Sequence, residues 1–181
     1  YFDKKYGISR FGVFDVNSLK DPEWYYFKDN FFIFHFSESY ETCDEFVIYA
    51  CVIENHDIEN AFVKLSNNKI IESKGILKEI RLNKKSGKAV ILGNEQLENL
   101  DLGFPHSIDF PITSKLQQGL IYCAIFDLEN TYIRGFLRIN TNNFQYTKPE
   151  VFLFEEGTYG VAEPQTVVIE GNEYLITFIE E

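Results

Sequence analysis

The amino-acid sequence predicts an all-β fold, and three observations support that prediction. Short apolar runs, rich in Val, Ile, Phe and Tyr, recur along nearly the whole chain. Turns that contain glycine or asparagine separate several of these runs. Helical periodicity is weak throughout. Runs of this kind are typical of β-strands, because branched and aromatic side chains fit the surface of a pleated sheet.

The apolar runs predict the strands in chain order. They are Phe31–Phe36, Glu45–Ile53, Ile76–Leu82, Lys88–Leu92, Gly119–Phe126, Tyr132–Ile139, Val151–Phe154, Thr166–Glu170 and Glu173–Ile179. Strands at this spacing fit a sandwich, a barrel or the blades of a propeller. A propeller blade takes about 40–45 residues, so in that last case the chain would supply about four blades.

Local signals predict the connections between these strands. Lys84–Gly87 is typical of a hairpin with Gly87 in a left-handed conformation, and Thr141–Asn143 of a second turn. Gly171–Asn172 fits a two-residue type II′ hairpin loop. Asn94–Leu100 is predicted to form one turn or a short helix, and Asp57–Asn68 is ambiguous.

Composition excludes several classes of partner. The chain has 28 acidic and 17 basic residues, a net charge of −11, and no basic patch. This charge argues against nucleic-acid binding and against attraction to an anionic membrane surface. No apolar run approaches the length of a membrane span, and no signal or transit peptide is visible. Because the chain starts at Tyr1 and contains no methionine, we expect it to be an internal piece of a longer protein.

The cysteines predict no local metal or redox motif. The three residues Cys43, Cys51 and Cys123 include no C-x-x-C pair. Cys51 and Cys123 lie in apolar runs and are predicted to be buried thiols. This usage suits a reducing compartment.

His35 is the first candidate site residue, because it interrupts an aromatic strand in which imidazole needs a polar partner. It is either a metal ligand or a core histidine bonded to a backbone carbonyl, and this segment alone favours the second interpretation. His56, at a polar strand end, and His106, in a proline-bracketed loop, are predicted to be structural or surface residues. No H-E-x-x-H, G-x-S-x-G or glycine-rich phosphate loop is present.

Two carboxylates are the remaining candidates, since their surroundings are apolar or tightly turned. Asp109 lies in Ser107–Pro111 and Glu163 in Tyr159–Pro164. A carboxylate in such a place needs hydrogen bonds or a nearby positive charge. Taken singly, each is best interpreted as a turn carboxylate that accepts backbone N–H bonds.

Eight segments of the chain form an ordered set of motifs. They are Arg10–Val13, Phe34–His35 with Ser39–Glu41, Asp44–Ile48, Leu77–Asn83 with Lys85–Lys88, Asp109–Pro111, Gly119 with Tyr122–Ala124, Tyr159–Gly160 with Glu163–Pro164, and Gly171–Phe178. In this order they resemble the carotenoid cleavage dioxygenases, or carotenoid oxygenases, of the plant type. That family includes the epoxycarotenoid dioxygenases and the retinal pigment epithelium isomerase. The resemblance covers nearly all of the chain.

The resemblance implies a seven-bladed β-propeller that holds one Fe(II) on its axis through four histidines. Residues 1–181 would be an incomplete propeller domain of three to four blades. His35 matches the third iron ligand, Asp109 the carboxylate bonded to that histidine, and Glu163 the carboxylate bonded to the fourth. The first two histidines would precede this chain and the fourth would follow it. Phe34 and Phe36 would neighbour the site and its substrate tunnel.

The implied activity is Fe(II)-dependent cleavage of a carbon–carbon double bond in a carotenoid or apocarotenoid by O₂. Isomerisation of a polyene ester at the same site is an alternative within the family. A second alternative is a non-catalytic binding or structural module that lost its metal. Glu38 in place of asparagine and Val161–Ala162 in place of a glycine pair motivate it. The resemblance leaves open a plastid or cytoplasmic location, and a peripheral membrane contact through segments outside this chain.

Overall fold

The computed structural model describes residues 9–18, 20–54, 74–107, 119–127 and 132–181. Within these ranges the chain forms β-strands and two 3₁₀ helices but no α-helix, so the all-β fold class is confirmed. The strands are β1 Arg10–Val13, β2 Glu23–Tyr26, β3 Phe31–Glu41, β4 Glu45–Glu54, β5 Gly75–Asn83, β6 Ala89–Leu92, β7 Asp101–Ser107, β8 Leu120–Phe126, β9 Ile133–Asn140, β10 Glu150–Leu153, β11 Tyr159–Gly160, β12 Gln165–Ile169, β13 Asn172–Ile176 and β14 Ile179–Glu180. The 3₁₀ helices are Glu95–Leu97 and Phe144–Tyr146.

The strands form two larger antiparallel sheets and two ribbons. The first sheet is a meander with the order β3-β4-β5-β6. The second sheet has the order β7-β8-β9-β11-β14, and β10 also pairs with β9. The ribbons are β1-β2 and β12-β13.

Alternation along β4 explains how these layers stack. Tyr49 and Cys51 belong to a core shared with β8 and β9 of the second sheet, where Tyr49 packs edge-on against Phe144 with ring centroids 5.4 Å apart. Ala50 and Val52 point the other way, into a core shared with β1 and β2. Because side chains alternate with period two, one strand serves both cores.

A third core repeats the pattern further along the chain. Ala124 of β8 and Phe136 of β9 point away from the first sheet, and Leu175 of β13 packs against them. The described residues therefore form four layers in chain order: the β1-β2 ribbon, the first sheet, the second sheet and the β12-β13 ribbon. Sheets stacked face to face in sequence agree with the predicted partial propeller. The total of seven blades stays a prediction.

The structure confirms one predicted hairpin and corrects another. Gly87 has a φ of 66°, as the left-handed position between β5 and β6 requires. The β12-β13 loop is Glu170–Gly171 rather than Gly171–Asn172, because Ile169 pairs directly with Asn172. Both loop residues have positive φ, 51° and 81°, which is the pattern of a type I′ turn, so the predicted II′ geometry is wrong.

Other predicted boundaries also change. The predicted strand Glu173–Ile179 divides into β13 and β14, which belong to different sheets. At Asn94–Leu100, for which one turn or a short helix was predicted, the structure has a single 3₁₀ turn, and the prediction is confirmed. The ambiguous segment Asp57–Asn68 lies outside the described residues. Among the helices of the described part, none is long and apolar enough to cross a membrane.

Buried Asn94 joins the two sheets at this 3₁₀ turn. Its Oδ1 accepts the backbone N–H of Gln96 at 3.0 Å, which caps the helix. Its Nδ2 donates to the carbonyl oxygens of Phe144 and Thr147 at 2.7 and 2.8 Å. The amide is therefore satisfied although it is buried. These hydrogen bonds connect the chain segment between β6 and β7 to the loop that follows β9.

Candidate functional site

Three strands from successive layers approach one another at one edge of the stack. β3 is the terminal strand of the first sheet and β7 the terminal strand of the second. β3 lies against β7, and β12 also contacts β7. Side chains on these strands can therefore come from three layers to one region, although they are far apart in sequence.

His35 lies on β3 in a two-residue β-bulge. Ile33 pairs with Val52 and Phe36 with Ala50, so Phe34 and His35 stand opposite Cys51 alone. Cys51 belongs to the core between the two sheets, which assigns the bulge to the face directed at the second sheet. His35 is half-buried there. Bulges frequently redirect a side chain next to a functional site.

A bulge also lies on the facing strand β7. Gly103 pairs with Ala124 and His106 with Tyr122, so Phe104 and Pro105 stand opposite Cys123. Cys123 belongs to the same core as Cys51. The two bulges therefore border one interface from both sides. His106 lies in this strand, so its predicted position in a loop is wrong; proline is tolerated in strands at bulges and edges.

Of the two predicted carboxylates, one lies among the described residues and the other does not. Asp109 lies outside the described residues, two positions beyond the end of β7 at Ser107. Its proposed hydrogen bond with His35 stays a prediction. Glu163 lies between β11 and β12, two residues before β12 begins, and its side chain is exposed. The proposed role of Glu163 as the partner of a fourth histidine stays a prediction.

The strand register gives the position of one of the two predicted tunnel residues. Phe36 pairs with Ala50 and therefore lies on the face directed at β1 and β2. Its ring is 54% exposed and makes an edge contact with Phe11 at 6.0 Å between centroids. The side chain of Phe34 lies outside the described part. A role of either ring in a substrate tunnel stays a prediction.

Near the core between the two sheets, buried ionisable groups that the sequence did not single out have raised pKa values. The Asp101 carboxylate at the start of β7 accepts the backbone N–H of Gly75 at 2.8 Å. Burial nevertheless raises the pKa of Asp101 above its usual range. On β4 and β5, Tyr49 donates a 2.8 Å hydrogen bond to buried Glu79, which Arg81 also contacts. Burial, followed by the bond to Glu79, raises the pKa of Tyr49.

Among the described residues, His35 is the one predicted metal ligand. Among the described residues, no group of three or more His, Cys, Asp and Glu side chains is arranged to hold a metal ion. His35 offers one imidazole at the edge where the layers meet, and imidazole is a common ligand for iron. A groove of about 660 Å³ near β9, β10 and β13 is lined by none of the predicted site residues. It is therefore not assigned to this site.

Comparison with protein families decides the relationship of this chain. A family model described as retinal pigment epithelial membrane protein, RPE65, matches residues 1–179. The chain belongs to the RPE65 family. The resemblance to carotenoid oxygenases that the motifs predicted is thereby confirmed.

Relatives of this RPE65 family member include named dioxygenases. The carotenoid 9,10(9',10')-cleavage dioxygenase of Crocus sativus is 29% identical over 196 residues, which is 96% of this chain and 34% of that protein. The chain therefore spans about a third of the length of this relative.

Solved structures share the fold of this RPE65 family chain. Cobalt-substituted Synechocystis apocarotenoid oxygenase superposes with a TM-score of 0.60 at 10% identity, covering 90% of this chain and 33% of that one. Pseudomonas brassicacearum lignostilbene dioxygenase gives a TM-score of 0.64 at 12% identity, covering 88% and 35%. At these identities the likeness concerns the fold alone.

Proposed function

We propose that this chain is part of an Fe(II)-dependent dioxygenase that cleaves a carbon–carbon double bond of a carotenoid or apocarotenoid. One observation carries the proposal: in an RPE65 family chain, His35 occupies a bulge on β3, the edge strand that lies against β7 of the second sheet. The name of the Crocus sativus relative supports this substrate class. The alternative of a metal-free module is supported by no contact in the described structure.

The proposed reaction adds both atoms of O₂ across one double bond. R–CH=CH–R′ and O₂ give R–CHO and R′–CHO, so atoms balance without a further co-reactant. Bound iron supplies the oxygen chemistry that amino-acid side chains lack. This chain's contribution is to provide the imidazole nitrogen of His35 and to hold it in place.

The carboxylates have positioning roles in this proposal. Asp109 accepts the second ring N–H of His35 and so fixes its tautomer, because a carboxylate partner orients a ligand histidine and raises its basicity. Glu163 does the same for a histidine that lies outside this chain. Four neutral imidazoles leave the charge of the metal uncompensated, and outer carboxylates offset it.

The substrate tunnel is a further part of the proposal. A conjugated polyene is apolar and rigid, so aromatic walls bind it by contact area and keep one bond in register. Phe34 and Phe36 adjoin His35 in sequence on opposite sides of it. We assign both to the surroundings of the metal.

The test uses the full-length protein, purified with its iron, and ¹⁸O₂. An apocarotenoid substrate is expected to give two carbonyl products, each with one labelled oxygen, and O₂ uptake equal to bonds cleaved. A stilbene substrate tests the other substrate class suggested by the fold relatives. A rearranged product without O₂ uptake would favour isomerisation and overturn the dioxygenase proposal. No turnover by an iron-loaded enzyme with either substrate would count against it as well.

A further inference from the structure

Two buried thiols face each other across the interface between the two sheets. Cys51 comes from β4 and Cys123 from β8, and both belong to the core shared by these sheets. Cys51 is 5% exposed and Cys123 is 0% exposed. An interaction with the Cys123 side chain is the largest cause that raises the pKa of Cys51, in agreement with the place of both thiols in this one cluster. The contact therefore joins residues from different layers that are far apart in sequence.

The backbone around this pair is irregular on both sides. Each cysteine stands opposite a bulge of the neighbouring edge strand, Phe34–His35 for Cys51 and Phe104–Pro105 for Cys123. A bulge disrupts the ladder locally and bends its strand. Small adjustments that bring two sulfur atoms to the bonded distance of ~2.05 Å are easier here than in a continuous ladder.

We propose that Cys51 and Cys123 form a redox-sensitive pair that closes a disulfide between the two sheets when the protein meets hydrogen peroxide. Hydrogen peroxide is chosen as the oxidant because it is small and both thiols are almost fully buried. The pair serves neither as a metal ligand nor as a substrate contact in the proposed function, and the inference is independent of it.

The reaction balances with peroxide alone. The Cys51 sulfur attacks one peroxide oxygen, which gives a sulfenic acid and, after proton transfer, one water. The Cys123 sulfur then displaces the sulfenic oxygen, which leaves as a second water. Two thiols and H₂O₂ thus give one disulfide and two waters. The thiols lose two electrons and the peroxide gains them.

The environment makes this reaction slow and selective. The interaction with Cys123, followed by burial, raises the pKa of Cys51, so little thiolate is present at neutral pH. Cys43 is exposed and lies between β3 and β4, where its Sγ contacts Asp44. It reacts with peroxide first but has no neighbouring thiol among the described residues. Cys51 forms a disulfide because Cys123 lies beside it, and not because Cys51 is the more reactive thiol.

The experiment treats the full-length protein carrying Cys43→Ser with peroxide under native conditions, then alkylates remaining thiols and digests it. We expect a cross-linked peptide pair containing Cys51 and Cys123, lighter by two hydrogen atoms than the free peptides and released by reductant. We also expect a higher unfolding temperature after oxidation that reductant reverses.

Two controls keep the result decisive. Adding Cys51→Ala to the Cys43→Ser protein abolishes the cross-link, and circular dichroism reports whether this variant folds. In the protein that retains Cys43, oxidation of this exposed thiol shows how far the oxidant has reacted. Complete oxidation of Cys43 with Cys51 and Cys123 still fully alkylated would overturn the proposal. So would sulfinic acid at Cys51 with no cross-linked peptide.

Discussion

The hydroxyl of Tyr49 on β4 donates a 2.8 Å hydrogen bond to Oε2 of Glu79 on the adjacent strand β5. Both side chains are buried, and Glu79 is only 3% exposed. Arg81 forms an ion pair with the other Glu79 oxygen and reaches Glu45 at 3.2 Å. A carboxylate is tolerated at this depth because both oxygens have donors.

Removing the phenol donor should therefore destabilise the first sheet. In Tyr49→Phe a buried carboxylate oxygen loses its partner, which costs about 1–3 kcal/mol. Chemical denaturation of both proteins measures the difference in the free energy of unfolding. Tyr146→Phe removes a hydroxyl from a side chain that is 81% exposed, so it serves as the matched control with little effect. Equal stabilities for Tyr49→Phe and the parent protein would contradict the role of this bond.

The raised pKa of Asp101 predicts a pH dependence of stability. A carboxyl with a higher pKa in the folded than in the unfolded chain binds its proton more tightly when folded. Stability therefore falls as pH rises from about 4, the unfolded value, to the raised folded value, and is constant above it. Asp101→Asn keeps an acceptor for the Gly75 N–H and removes the ionisation. We expect the variant to gain stability relative to the parent across this pH window.

Urea titrations of both proteins, begun below pH 4 and continued through this window, measure that gain. Asp44→Asn is the opposite control, because the bond from Lys85 lowers the pKa of Asp44. That substitution should lose stability relative to the parent as pH rises to about 4, because the charge that Lys85 stabilises forms in this range. A constant difference between Asp101→Asn and the parent at all pH values would show that Asp101 titrates normally.

The metal assignment predicts loss of iron from His35→Ala in the full-length protein. The remaining ligands hold the ion less tightly once one imidazole is gone, so the iron-to-protein ratio measured by elemental analysis should fall severalfold or more. Ser39→Ala changes an exposed position further along the same strand and should retain iron. Full iron occupancy in a folded His35→Ala protein would make His35 a structural histidine.

The close approach of β5 to β7 predicts a steric effect at Gly75. A Cβ built on Gly75 would lie 2.3 Å from the carbonyl oxygen of Leu102, so the backbone must shift. Gly75→Ala should cost about 1–3 kcal/mol by overpacking, measured by thermal or urea unfolding. Gly93→Ala is the control, because its Cβ would meet only the flexible end of Lys78 at 3.0 Å. Similar losses for both substitutions would point to glycine conformational entropy instead.

Strand positions were predictable wherever alternation or aromatic content was strong, as in β4, β5 and β8. β7 was missed because Gly103 and Pro105 within it are typical of a loop. The bulge opposite Cys123 accommodates the proline, and a bulge depends on pairing with another strand. Local sequence therefore predicts strands better than it predicts their irregularities.

The candidate site was predictable in part for the same reason. An imidazole among aromatic residues identified His35, but its bulge follows from pairing with β4. Glu79 was overlooked because Leu77–Asn83 alternates in the way a half-exposed strand does. Its partner Tyr49 lies on another strand. Only tertiary structure distinguishes this buried carboxylate from a surface one.

The bulges on β3 and β7 also determine where the chain tolerates a change of length. Deleting one residue from Phe34–His35 leaves one residue opposite Cys51. The pairing of β3 with β4 then becomes regular at this point, and the neighbouring side chains keep their original faces of the sheet. The same deletion within β4, which pairs continuously with β5, exchanges the two faces of the rest of that strand. A change of length at the bulged positions of the edge strands should therefore disturb the ladder less than the same change in the central strands.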